Sequence, residues 1–235
     1  MKELLRWRAR LIAVATATLV AVAYELDLAI AESTRIPNWL LAFLTFVVSI
    51  GPATMTVGKA LSLRTVRRLM MSTKHVEGFW WLATDPCGDN EPISGSPLLQ
   101  DGLLFIRHNT SAGESKVVTT RLATDSRVYP TESEMAYVRD DGVGFGYINH
   151  FRLTFPGPEI KFGLSAGRFM ATDDVAAHPN WLEAQITVAG EPVVYRQSAQ
   201  RIPEQAVKDL KRQHGKDWVR QALVAGRQSV FGDGL

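Results

Sequence analysis

The chain has 235 residues, 46% of them hydrophobic and 21% charged, enough for one domain of ordinary size plus a segment that does not fold in water. Its charge is divided: residues 1–74 carry ten basic and four acidic side chains, residues 75–235 sixteen and twenty. A net-acidic C-terminal part argues against DNA or RNA as a partner, because phosphate neutralisation needs a basic surface, and a single cysteine, Cys87, excludes an intramolecular disulfide framework and a cysteine-based zinc site.

Two uncharged apolar stretches come first. Asn38 to Gly58 spans about 31 Å as a helix, matching a hydrocarbon core of about 30 Å. Leu11 to Ala23 is shorter and spans only if it begins near Trp7, with Arg8 and Arg10 reaching back to the headgroups. The reading is a transmembrane hairpin over residues 1–58, with helices at about 7–27 and 38–58. A secretory signal peptide is the rival for the first stretch, since Lys2, Arg6, Arg8 and Arg10 precede it and Ala21-Val22-Ala23 resembles a cleavage site. Basic residues flank the pair on its outer sides, and only Arg35 lies between the two stretches, so residues 59–235 are expected in the cytoplasm.

Within the first helix Ala13, Ala17 and Ala21 recur at fourth positions and Glu25 continues the row. Small residues at that spacing let helix backbones approach closely, here against Ser49 and Ala53 of the second helix or against another copy. Residues 59–74 read as a basic juxtamembrane helix in contact with anionic lipid.

From residue 75 the hydrophobic period drops to two. Strand-like runs are Val76–Ala83, Gly102–His108, Lys116–Ala123, Glu134–Arg139, Phe145–Phe155, Ile160–Met170, Leu182–Val188 and Pro192–Gln200, separated by Gly, Pro, Asn and Asp clusters. About eight strands over residues 75–201 suggest an antiparallel meander closed into a barrel, which removes exposed edges. The long irregular stretch from Thr84 to Gln100 is a candidate cap for the barrel mouth. Asp173, Asp174 and His178 match no specific metal spacing, and no metal or cofactor is expected. Residues 202–235 return to a helical pattern, with Pro203 at its start, an apolar stripe through Val207, Leu210, His214, Trp218 and Leu223, and Gly226 at its end. The fold expected is membrane α plus all-β: two transmembrane helices, the barrel and a C-terminal amphipathic helix.

Strand alternation nominates the residues facing inward. Leu103, Phe105 and Arg107 share one face, Ile160 to Met170 place Arg168 on another apolar row, and Phe145 to Phe155 place Tyr147, Asn149 and Phe151 together. Arginine for phosphate, aromatic faces for stacking and an amide for base edges are what a nucleotide pocket needs. A core arginine held by its own partners explains the same residues. His108, Arg121, His150 and Arg152 fall on the opposite face and are expected in solvent. No nucleophile elbow, Walker loop or paired-histidine motif is present, so catalysis is not expected.

Gly78-x-Trp80 on the first strand resembles the start of lipocalin-like barrels. That resemblance implies a tryptophan plugging the barrel base beneath an arginine from the last strand, a part open here to Arg196 or Arg201. The whole arrangement, two N-terminal membrane helices before a compact β-barrel, resembles the two-transmembrane, β-strand-rich effectors of bacterial cyclic-oligonucleotide anti-phage signalling. It implies a multi-pass inner-membrane protein whose barrel binds a cyclic di- or oligonucleotide, whose copies assemble, and whose helices then disrupt the membrane. The alternative is a membrane-tethered lipocalin-like module holding an apolar ligand or a protein partner.

Overall fold

A computed structural model describes residues 2–31, 38–71, 75–87, 101–109, 114–122, 128–140, 145–153, 161–171, 178–190 and 193–231. The chain divides into two compact units, residues 1–72 and, from residue 73 on, the remainder apart from 110–113.

The first unit holds α1 (Lys2–Ala31), α2 (Asn38–Ser62) and α3 (Arg64–Met71). Among the described residues, Phe43–Ser62 is the stretch long and apolar enough to cross a membrane. In α1 the charges Arg6, Arg8, Arg10, Glu25 and Asp27 confine the uncharged run. The two helices pack antiparallel, because Leu11, Ile12 and Ala15 near the start of α1 meet Val57 and Leu61 near the end of α2. On α2 the buried positions recur at every fourth residue, Thr45, Ser49, Ala53, Val57 and Leu61, forming one stripe along the helix. The α1 row that was expected to meet Ser49 and Ala53 is turned away from it: Ala13, Ala17, Ala21 and Glu25 are exposed, while Thr16 is buried.

Lys59 belongs to α2, so the basic helix expected over 59–74 is instead the last turn of α2 followed by the short α3. Arg67 explains the break. Its guanidinium is buried and donates to the carbonyls of Leu61 and Ser62 at 2.9 and 2.6 Å, satisfying terminal acceptors that α2 leaves without helical partners.

The second unit contains β1 (Gly78–Cys87), β2 (Gly102–Asn109), β3 (Glu114–Leu122), β4 (Val128–Asp140), β5 (Phe145–Leu153), β6 (Lys161–Met170), β7 (Trp181–Val188) and β8 (Val194–Arg201). Each strand pairs antiparallel with the next, and β1 pairs with β8, so the curled sheet closes on itself. β4 begins at Val128 rather than Glu134 and runs through the exposed Pro130. Register shifts on both its sides, between Ser115 and Val118 and between Ser133 and Met135, mark bulges that bend a long strand around a small barrel.

The interior core lies between Trp80, Leu82, Leu104, Ile106, Phe169 and Leu182. A second core lies outside the barrel wall, where α4 (Glu204–His214), α5 (Trp218–Ala225) and α6 (Arg227–Phe231) join Trp81 and Leu103 through Val207, Leu210, Trp218 and Leu223. The single helix expected from Pro203 to Gly226 is therefore two, with the short α6 following Gly226: Gly215, at φ 57°, breaks it with a 3-10 turn that redirects Trp218 onto Phe79, ring centroids 4.8 Å apart. Lys211 covers both rings at 5.3 and 5.4 Å. Pro203 stands before the first helical residue as the N-cap rather than at the first helical position.

β6 and β7 approach closely at Gly167, where a Cβ would collide with the Glu183 carbonyl and with Ala184. Gly167→Ala is expected to destabilise the barrel by about 1–3 kcal/mol, as overpacking does, and to lower the urea midpoint of the purified chain without changing the slope. An unchanged midpoint would mean that the two strands part freely there.

Candidate functional site

The two ends of the barrel interior differ in chemistry. At one end Trp80 is fully buried, its indole Nε1–H donating to the Val76 carbonyl at 3.1 Å. Gly78, two residues earlier, holds φ at 144°, a conformation that side chains rarely adopt, which accounts for the glycine of the Gly-x-Trp triplet. Arg201, the last residue of β8, pairs in register with Trp80 and sets its guanidinium 5.7 Å from the ring centroid. The same guanidinium donates to the carbonyls of His75, Glu77 and Pro179 at 2.9, 2.7 and 3.2 Å and contacts His75 Nδ1 at 3.1 Å.

This geometry assigns the histidine tautomer. A guanidinium only donates, so His75 Nδ1 accepts, and the proton sits on Nε2, which donates to Glu77 Oε2 at 3.2 Å. Glu77 Oε1 accepts from the backbone N–H of His108 at 2.7 Å, and the His108 ring meets Ser115 Oγ at 2.9 Å. The half-buried guanidinium and the buried neutral imidazole and carboxylate thus form a series tying the segment before β1 to β8 and β2. His75 also stands edge-on to His178, 5.6 Å away. The part that the lipocalin resemblance implies for a last-strand arginine is taken by Arg201. Arg196 is a correction: one residue out of phase with the inward positions Tyr195, Gln197 and Ala199, it is exposed and contacts the half-exposed Glu183 at 3.4 Å.

Toward the other end the buried side chains turn polar. Arg121 is 4% exposed and donates to Thr84 Oγ1 at 3.3 Å. Burial pushes its guanidinium down to about 10, and the attraction of Asp101 offsets only part of that. Asp101 itself is exposed and accepts from Trp81 Nε1 at 3.2 Å. Across the barrel, Ser165 Oγ donates to Gln197 Oε1 at 3.1 Å, both residues buried. Asn149 pairs in register with Ser165, Tyr147 with Gly167 and Phe151 with Gly163, which brings the three expected ligand positions of β5 beside this polar end; their side chains lie outside the described residues.

Arg107 and Arg168 are corrections. Both are exposed, because the inward and outward rows of β2 and β6 are the reverse of those expected. On β2 the inward residues are Leu104, Ile106 and His108, while Leu103 is buried from outside by the C-terminal helices. On β6 the inward residues include Ser165 and Phe169, with Gly167 at the close β7 contact, and the apolar Phe162, Leu164 and Met170 are exposed with Arg168. Arg121 and His108, expected in solvent, are both buried. The sequence carries no sign of the Arg121 placement: Val117, Thr119 and Arg121 on one face of β3 are no more apolar than Val118, Thr120 and Leu122 on the other.

Cys87 is free and partly exposed at the end of β1. No group of three or more His, Cys, Asp or Glu residues suited to a metal ion occurs among the described residues. Of the stretch from Thr84 to Gln100 expected as a cap, residues 84–87 continue β1 instead, and residues 88–100, like Asp173 and Asp174, lie outside the described residues. No family model, no curated protein and no solved structure matches the chain.

Proposed function

We propose that the chain is a ligand-gated membrane effector. Its barrel, on the cytoplasmic face of a bacterial inner membrane, binds a cyclic di- or oligonucleotide, and its helices assemble with those of other copies to disrupt the bilayer in anti-phage defence. The observation that carries this reading is the group of polar side chains Arg121, Thr84, Ser165 and Gln197 withdrawn from water in the barrel interior, beyond the apolar core around Trp80. A guanidinium inside the barrel offers a planar fork of donors suited to phosphate oxygens.

Two further observations support the membrane part. Phe43–Ser62 has the length and hydropathy of a crossing, and its exposed side chains include Phe43, Phe46, Val48 and Met55, suited to lipid. The α1 helix packs antiparallel beside it, and its exposed Ala13, Ala17 and Ala21 offer a face of small side chains for close approach by a second copy. No catalysis is involved. Ligand binding changes the relative stability of assembled and unassembled forms only to the extent that it favours one of them.

A second reading, a tethered lipocalin-like carrier of an apolar ligand, is favoured by the Trp80–Arg201 base and the apolar interior above it. Thermal shift of the full chain in detergent separates the two: the effector reading expects cyclic di-AMP or cyclic di-GMP to raise the melting temperature. Cells that also express a cyclic-nucleotide synthase are expected to lose membrane potential, read with a potential-sensitive dye. Arg107→Ala and Arg168→Ala, on the outer wall, are expected to bind within about twofold of wild type, as surface substitutions do. Absence of any cyclic-nucleotide response, together with co-purified lipid, would replace this reading with the carrier.

A further inference from the structure

We infer that one end of the helical unit, where α1 begins and α3 follows α2, is a binding surface for anionic phospholipid, with Arg6, Arg10, Lys59 and Arg68 as the cations that receive headgroup phosphates. The inference rests on the reading that α2 crosses the bilayer, and it names the lipid class and the side chains that hold it.

Two distant stretches of chain supply this surface. Val66 of α3 packs on the same cluster as Leu11, Ile12 and Ala15 of α1 and Val57 and Leu61 of α2. Arg10 adjoins Leu11 in the chain, Lys59 lies between Val57 and Leu61, and Arg68 follows Val66 by two residues, so the antiparallel packing gathers all three at one end of the hairpin. Arg6 stands one turn before Arg10. All four cations are exposed. Arg67 has a different part: buried, and donating to the Leu61 and Ser62 carbonyls, it ties α3 to the end of α2.

Charge complementarity selects the partner. Residues 1–10 and 59–74 hold nine basic side chains and one acidic, Glu3, so this end stays strongly positive however that carboxylate is paired. The other acidic residues of α1 and the loop after it, Glu25, Asp27 and Glu32, begin about 22 Å farther along the helix, beyond the screening length of about 8 Å at physiological salt. Exposed apolar side chains stand among the cations. Trp7, its ring centroid 5.7 Å from the Arg10 guanidinium, carries the amphipathic ring that settles at a membrane–water boundary. Leu63 and Leu69 are 58% and 77% exposed, in and beside the basic α3. Cations interleaved with exposed apolar groups match an anionic bilayer surface, with phosphates against the cations and acyl chains against the leucines. The position agrees, because α3 begins where the apolar run Phe43–Ser62 ends.

The test reconstitutes the full chain into mixed vesicles of phosphatidylcholine and phosphatidylglycerol, one or the other brominated on its acyl chains to quench tryptophan fluorescence on contact. Quenching that disappears in Trp7→Phe reports lipid at this surface, and quenching that disappears in Trp39→Phe reports lipid at the exposed start of α2. At Trp7, phosphatidylglycerol is expected to be preferred over phosphatidylcholine by about fourfold or more at equal mole fraction, since each cation near a membrane surface is worth about fivefold. The preference is expected to fall below about twofold in about 1 M salt, which screens exposed charge. Combining Arg6→Gln, Arg10→Gln, Lys59→Gln and Arg68→Gln is expected to do the same at low salt, and the salt series decides the matter if that variant does not fold. Equal quenching of Trp7 by both lipids would overturn the assignment, turn the surface toward an acidic protein partner, and leave the crossing of α2 standing. A preference that survives both high salt and the combined variant would overturn the role of these cations. Quenching of Trp39 without Trp7 would overturn the surface alone, and quenching of neither would overturn the membrane reading with it.

Discussion

Trp80→Ala is expected to lower the stability of the second unit by about 3–5 kcal/mol, the range for removing a large aromatic side chain from a packed core. Trp80 is fully buried and touches Phe169 across the barrel, ring centroids 5.2 Å apart. Its loss opens a void beneath the ring of Leu82, Leu104 and Leu182, and it leaves the Val76 carbonyl without its donor. For a domain of this size the melting temperature should fall by on the order of 10 °C, readable by far-ultraviolet circular dichroism of the full chain. Trp80→Phe keeps most of the apolar volume and loses the indole donor, so about 1–2 kcal/mol is expected. Were Trp80→Ala to melt within about 2 °C of wild type, the residue could not be the packing centre of the barrel base.

Arg201→Leu has an effect of the same size for a different reason. The substitution is apolar, yet the groups that Arg201 serves stay behind: the carbonyls of His75, Glu77 and Pro179, and the His75 ring. Leaving buried acceptors without donors costs about 1–3 kcal/mol each, not fully additive, and the His75–Glu77 contact loses the positive charge that faces it. A total of about 3–5 kcal/mol is expected, as for other broken buried charge networks, measured as a shift in the urea midpoint. Arg201→Lys should recover only part of this, since one ammonium cannot span four acceptors lying in different directions. Arg196→Ala is the control: its contact with Glu183 is largely solvated, and a change within about 0.5 kcal/mol is expected. If Arg196→Ala proved the more damaging of the two, the arginine of the barrel base would have been misassigned.

Much of the strand order was legible because short runs of period two alternate with turn residues, a signal that needs no tertiary context. The expected and observed strands overlap at every one of the eight positions, and the largest error, at the start of β4, falls around Pro130, where β4 pairs with β3 alone and its pairing with β5 begins only at Ser133, so the missing proline N–H costs no ladder bond on that side. Side-chain direction was not legible. Alternation identifies two faces and leaves open which is inside, and that choice rests on the assumption that the apolar face is the buried one.

The assumption failed on β2 and β6 for opposite reasons. β2 is apolar on both faces because the C-terminal helices bury Leu103 from outside while Leu104 and Ile106 fill the interior. β6 has small residues within because β7 approaches it at Gly167, and its outer row of Phe162, Leu164 and Met170 remains exposed. Arg107 and Arg168 followed those rows outward, and Arg121 came inward on a strand whose two faces are chemically alike.

By itself the sequence determined the division into an apolar helical part and a strand-rich part and the meander order, both of which follow from local periodicity and composition, while the tryptophan at the barrel base was what the resemblance of Gly78-x-Trp80 implied. Only the tertiary structure decided that Arg201 rather than Arg196 covers Trp80, that α1 turns its alanine row away from α2, and that Arg121 turns into the barrel. The physical reason is common to the three. Each depends on which side of an element another element covers, and burial is a property of neighbours brought together by the fold rather than of residues adjacent in the chain.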